Sequence, residues 1–178
     1  MSSVSSADFS LGLEAGWMSG ASSIATGTRV ESYFYDANFK VQIPKTHRTK
    51  LAVEYVLIST SDKITDTSAV SMELQNFMFG LHQSFLQNDL IAISLLYSPF
   101  AVAVSNRTYS NPVTFRGAST LVKIALQPNL TNKIRLIFSM NFFSATYGSN
   151  QDSSGTGTVN PGFSKSLLIP SFGVNYDF

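Results

Sequence analysis

The sequence predicts an all-β protein: an eight-stranded antiparallel up-and-down transmembrane β-barrel over residues 8–178, behind a flexible tail over residues 1–7. Three observations carry this reading. Apolar residues recur at every second position in eight separate segments, the period of a strand whose two faces differ. The connections alternate between short and long, as in a barrel with tight turns at one end and extended loops at the other. Polarity is also inverted, with the aromatic rings on the apolar face and the charges on the opposite one. A water-facing sandwich or a lipocalin-like barrel would need the reverse. An even number of antiparallel strands puts both termini at the short-turn end.

Each segment reads at about the 9–11 residues that carry a tilted strand across a bilayer. In DFSLGLEAGW, Phe9, Leu11, Leu13, Ala15 and Trp17 alternate with Ser10, Gly12, Glu14 and Gly16. In YFYDANFKVQI, Tyr33, Tyr35, Ala37, Phe39, Val41 and Ile43 oppose Asp36, Asn38, Lys40 and Gln42. The third segment, near Lys50 to Ser59, sets Leu51, Val53, Tyr55 and Leu57 against Lys50, Ala52 and Glu54. The fourth, about Met72 to Gln83, is the weakest, with Phe77, Phe79 and Leu81 across from Met78, Gly80 and His82. The fifth carries Ile91, Ile93, Leu95 and Tyr97; the sixth carries Val122, Ile124 and Leu126 opposite Lys123. In the seventh, Ile134, Leu136, Phe138, Met140 and Phe142 oppose Lys133, Arg135, Ser139 and Asn141. The eighth has Leu168 and then SFGVNYDF, where Phe172, Val174, Tyr176 and Phe178 share one face and Gly173, Asn175 and Asp177 the other.

PKTHR, the stretch around SFLQN and QPNLTN read as tight turns, and the links near 18–30, 60–71, 98–113 and 144–162 as long polar loops. Each proline removes a ladder donor, so Pro99 is expected at a strand end and Pro170 at a local bulge.

Composition agrees. At 178 residues the chain is one domain, able to bury a core unaided. Net charge is +1 and charged residues are 13% of the chain, against roughly 25% in soluble domains. There is no cysteine, which excludes disulfides, thiolate nucleophiles and cysteine metal sites. The longest apolar run, Leu90 to Val104, is interrupted by Pro99 and falls short of the roughly 20 residues of a spanning helix. The polar start MSSVSSADF carries no export signal, and the reading favours Met1 as standing in place of a removed one.

The closing SFGVNYDF resembles the carboxy-terminal signature of Gram-negative outer-membrane proteins, and the eight-segment layout resembles small barrels of the OmpA, OmpX and OmpW type, with no motif that selects among them. The resemblance implies residence in the bacterial outer membrane, periplasmic termini and an assembly signal at Phe172, Val174, Tyr176 and Phe178, read by the barrel-assembly machinery.

Candidate sites follow from parity. Glu14, Lys40, Lys50, Glu54, Lys123 and Arg135 point inward and are expected to form a salt-bridged network, read as a structural plug with a narrow pore as the alternative. Val56, Ile58, Met72, Leu74, Leu96, Leu121, Phe143, Leu167 and Ile169 point inward nearer the loops, as dry packing or as an apolar lumen for a hydrophobic ligand. Trp17, Tyr33, Tyr35 and Tyr97 at the loop side, with Phe9, Tyr176 and Phe178 at the turn side, form two aromatic girdles. Arg29, Lys63, Arg107, Arg116 and Lys165, in or beside the long loops, are candidate contacts for lipopolysaccharide phosphates.

Chemistry is thinly represented. His47 lies in PKTHR and His82 near the turn-side end of the fourth strand, without metal spacing or a GxSxG elbow. SSGTGTVNPG lacks the lysine of a phosphate loop, NRT and NLT are chance-level glycosylation tripeptides, and no basic run suggests nucleic acid. The expectation is a non-enzymatic barrel without cofactor or metal, in a structural, lipid-organising or surface-interaction role. A narrow porin-like channel or hydrophobic-ligand carrier is the alternative. The expected partners are membrane lipids, lipopolysaccharide and the assembly machinery, with self-association left open.

Overall fold

The structure, a computed structural model, describes residues 9–21, 29–46, 48–65, 68–107, 112–152 and 155–178. The expected tail at residues 1–7 and His47 lie outside them. Eight strands follow in chain order: β1 (Phe9–Ala21), β2 (Arg29–Gln42), β3 (Thr49–Thr65), β4 (Ser68–Phe85), β5 (Ile91–Arg107), β6 (Val113–Leu126), β7 (Ile134–Asp152) and β8 (Gly155–Asp177). Each pairs antiparallel with its neighbour in sequence, and β8 returns to β1, closing the barrel. Closure satisfies the backbone between strands, which a lipid-exposed wall requires.

The two-residue alternation emerges as inside and outside. On β1, Phe9, Leu11, Leu13 and Trp17 are exposed while Ser10 and Glu14 are buried. Leu13 stands 68% exposed and Phe77 56%, an outer surface that water would penalise and hydrocarbon would not.

The turn end is tight. Ile43 and Thr49 close the β2–β3 turn through an N–H to carbonyl bond of 3.0 Å, and Gln127 N–H donates to Leu90 O at 2.7 Å beside the next two strands. In the β6–β7 turn, Thr131 Oγ1 accepts from Lys133 N–H (3.2 Å) and Ile134 N–H (3.0 Å). Both ends of the barrel sequence lie here, with Phe178 N–H donating to Phe9 O at 3.1 Å.

The opposite end departs from expectation. Most of 60–71, 98–113 and 144–162 is strand and not loop, as are 18–21 and 29–30: β3 runs to Thr65, β5 to Arg107, β7 to Asp152, and β8 starts at Gly155. Alternation fades there because, past the bilayer, both faces can be polar, while ladder bonds still satisfy the backbone. Arg29, Lys63, Arg107, Arg116 and Lys165 therefore belong to strands.

The prolines also differ from expectation. Pro99 does not end β5; the strand passes through it with a one-residue bulge, since the register shifts between Gln75 and Phe79 of the partner β4 and, in the pairing with β6, between Ser98 and Ala101 of β5 itself. The extra residue resets the parity, so Ser98 is inward, Phe100 is 75% exposed, and Ala101 and Ala103 turn inward. Pro170 sits in unbroken register opposite Met140 of β7. The bulge expected there is absent, and what stops at Pro170 is the ladder with β1, whose last pair is Gly16 with Ser171.

Candidate functional site

The interior has two levels. In the half nearer the turns, Lys123 of β6 reaches across to β1, β2 and β3. Its Nζ lies 2.7 Å from Glu14 Oε1, 2.9 Å from Glu54 Oε2, and in direct contact with Asp36 Oδ2. Glu14 is further fixed by Ser139 Oγ (2.6 Å) and Ser171 Oγ (2.9 Å), and Asn141 Nδ2 donates to Ser171 Oγ at 2.8 Å. Lys40 is buried too, and its Nζ donates to Asn38 Oδ1 at 2.7 Å.

Arg135 and Lys50 do not join this group. Closer to the turns, Arg135 Nε bonds Asp177 Oδ2 at 2.6 Å, and its Nη1 lies 3.3 Å from Asp89 Oδ2. Lys50 Nζ lies 3.7 Å from Asp177 Oδ1. The six residues singled out in the sequence thus fall into two clusters, and the carboxylates of Asp36, Asp89 and Asp177 were missed. Asp36 and Asp177 stand on inward parity and were readable on that ground. Asp89 lies in the β4–β5 turn at φ 54°, where parity says nothing.

Above the charges the interior is mainly apolar, with the buried Ser119 donating to Asn76 Oδ1 at 2.8 Å within it. Val56, Ile58, Leu74, Leu96, Leu121, Phe143 and Ile169 are buried together with Phe34, Met78, Ala101, Ala103, Ala145 and Tyr147, and Met72 and Leu167 pack against them. Phe34 was missed because it stands on the polar face of its segment, and Ala145 and Tyr147 because they fell in a presumed loop. The concavities of note open instead on the outer wall; one of about 570 Å³ is lined by residues including Leu11, Leu13, Ala37, Phe39, Tyr55 and Phe77.

His82 is buried inside the barrel, its Nδ1 2.9 Å from Ser94 Oγ and its Nε2 3.4 Å from Ser84 Oγ. Among the described residues no carboxylate bonds to its ring, and no cluster of His, Asp and Glu could hold a metal.

The girdle residues all face outward. Trp17 opposes Tyr33, and Tyr35 and Tyr97 are about half exposed. Phe9 stacks on Phe178 with ring centroids 4.6 Å apart, Tyr176 meets Phe178 edge-on at 4.8 Å, and Lys133 Nζ lies 5.9 Å from the Tyr176 ring centroid. Phe172 touches Phe138 at 5.0 Å. Arg116 is exposed and Lys165 half-buried, while the side chains of Arg29, Lys63 and Arg107 lie outside the described set.

No family model and no curated protein matches the chain. Solved structures do. Ail, the attachment invasion locus protein of Yersinia pestis, superposes with a TM-score of 0.57 at 8% identity, covering 97% of this chain and 99% of Ail. The fold is that of an outer-membrane β-barrel. The chain also aligns with the outer membrane protease OmpT of Escherichia coli (TM-score 0.49, 10% identity, 97% and 94% covered) and the translocator domain of the autotransporter NalP of Neisseria meningitidis (0.44, 8%, 94% and 61%). At these identities the likeness concerns the fold. Its apolar wall and charged interior have the polarity of barrels that span an outer membrane.

Proposed function

We propose that this barrel is non-enzymatic and plugged, and that it serves a structural, lipid-organising or surface-interaction role, with the short turns and both termini in the periplasm. The observation that carries the reading is the filled interior: a four-residue ion cluster beneath a layer of buried, mainly apolar side chains. An eight-stranded barrel is just wide enough for side chains to fill, and both levels use that width fully. The strands support the surface role. β7 has 19 residues and β8 has 23, while about 9–11 cross the bilayer. The surplus projects as hydrogen-bonded sheet, a stiffer platform for a partner than a loop would be.

Channel and carrier readings have the packed layer against them, and an enzyme has the enclosure of His82. Single-channel recording in planar bilayers tests the plug: the expected trace is flat, and steady unitary conductance would overturn the reading. Analysis of lipid A from expressing cells tests catalysis. Unchanged lipid A is expected; a modification abolished by His82→Ala would establish an enzyme.

A further inference from the structure

The ladder that closes the barrel stops early. β1 and β8 pair from Ser10 with Asp177 to Gly16 with Ser171, although both strands continue beyond, β1 along β2 and β8 along β7. The next pair would be Trp17 with Pro170. Pro170 has no N–H to extend the ladder. At the last pair the strands press together, since a Cβ on Gly16 would collide with the Pro170 carbonyl.

Above this point the inner side of the seam is apolar. Ile169 is buried, and Met18 and Leu167 are partly buried against the apolar layer. Two positions further along β8, on the same parity, stands the half-buried Lys165. Among the described residues Lys165 takes part in no ion pair, whereas, of the interior cations, Lys50, Lys123 and Arg135 each hold a carboxylate and Lys40 donates to the Asn38 amide oxygen. A partly buried ammonium above an apolar shelf is matched by an anion attached to an apolar chain.

The occupant is argued by what the edge excludes and where it opens. A free strand edge invites another strand, but proline and inward lysine are the devices that discourage strand addition. The ladder ends beside Trp17 and Tyr33, which are exposed on the wall, and such rings sit where hydrocarbon meets headgroups.

We propose that the unpaired stretch of the β1–β8 seam is a binding site for a phosphorylated glycolipid of the lipid A class, one acyl chain lying over Met18 and Leu167 and a phosphate on Lys165. The site rests on the orientation given above, in which the seam opens to the outer leaflet, and not on the surface role. Protease cleavage of the β7–β8 hairpin on intact cells reads that orientation separately.

The test uses the full chain in detergent micelles, titrated with lipid A or with phosphatidylglycerol and read by native mass spectrometry. Because the protein has no cysteine, the pair Ser19→Cys and Leu168→Cys, which are opposite in the continued register and leave Pro170 in place, gives a seam that oxidation locks and reduction frees. One lipid A is expected per reduced barrel, lost on oxidation and regained on reduction, so that misfolding cannot mimic the effect. Lys165→Gln is expected to weaken retention about fivefold, as for one partly screened charge contact, with Lys133→Gln at the turn end unchanged. Equal retention by the locked and open forms, equal loss in both lysine variants, or equal retention of phosphatidylglycerol would each overturn the site.

Discussion

Lys123 on β6 and Asp36 on β2 touch across the barrel interior, four strands apart in either direction around the ring. The contact bridges opposite walls, and the same ammonium holds Glu14 and Glu54. It acts as a crosspiece that neighbour-to-neighbour ladders cannot supply. Removing it would strand three carboxylates in a space closed to water.

Lys123→Met is therefore expected to destabilise the barrel by roughly 3–5 kcal/mol, the range for breaking a buried charge group by deleting one member. Urea unfolding in micelles, followed by the fluorescence of Trp17, the one tryptophan in the chain, measures it. A midpoint unchanged from the parent would mean that the carboxylates are not held by Lys123.

Phe143 is buried within the apolar layer. Phe143→Ala should cost about 3–5 kcal/mol through lost contacts and the cavity left behind. The same unfolding assay reads the loss. Because the ion cluster below remains, bilayers containing this variant should stay non-conducting.

Gly80 on β4 is a packing requirement of another kind. A Cβ there would run into the Leu95 carbonyl of β5, between strands paired at Gly80 and Leu96. Gly80→Ala should lower stability by about 1–3 kcal/mol, the usual range for overpacking. Gly148→Ala is the control, because nothing lies within 4 Å of its Cβ position.

Phe178 completes a ring cluster with Phe9 and Tyr176 at the seam of first and last strands. Phe178→Ala should remove about 0.5–1.5 kcal/mol of ring contact. If the closing segment is also the assembly signal, the folded fraction in cell membranes should fall by more than refolding into micelles does. Heat-modifiability on gels compares the two yields; equal losses would leave Phe178 a packing residue alone.

Much of this architecture is legible in single segments. The period-two pattern identifies wall and interior for Glu14, Lys40, Glu54, Lys123 and the apolar residues from Val56 to Ile169, because a side chain's face depends only on its position along its own strand. That rule breaks at a bulge: no local feature of SPFAVAV shows that the strand continues past Pro99 and turns Ala101 and Ala103 inward. It is also silent where water lies on both sides, which is why the strand extensions read as loops.

Strand number, the inverted polarity and the aromatic closing strand were determined by the sequence, since each follows from local alternation against an apolar solvent. Three things were decided only by the tertiary structure. These are the grouping of Glu14, Asp36 and Glu54 around Lys123, the attachment of Arg135 and Lys50 to Asp177, and the early end of the β1–β8 ladder at Pro170. Each depends on closure and on the registers between strands, which bring together residues as far apart in the chain as Glu14 and Ser171. Parity assigns a face, but only closure assigns a partner.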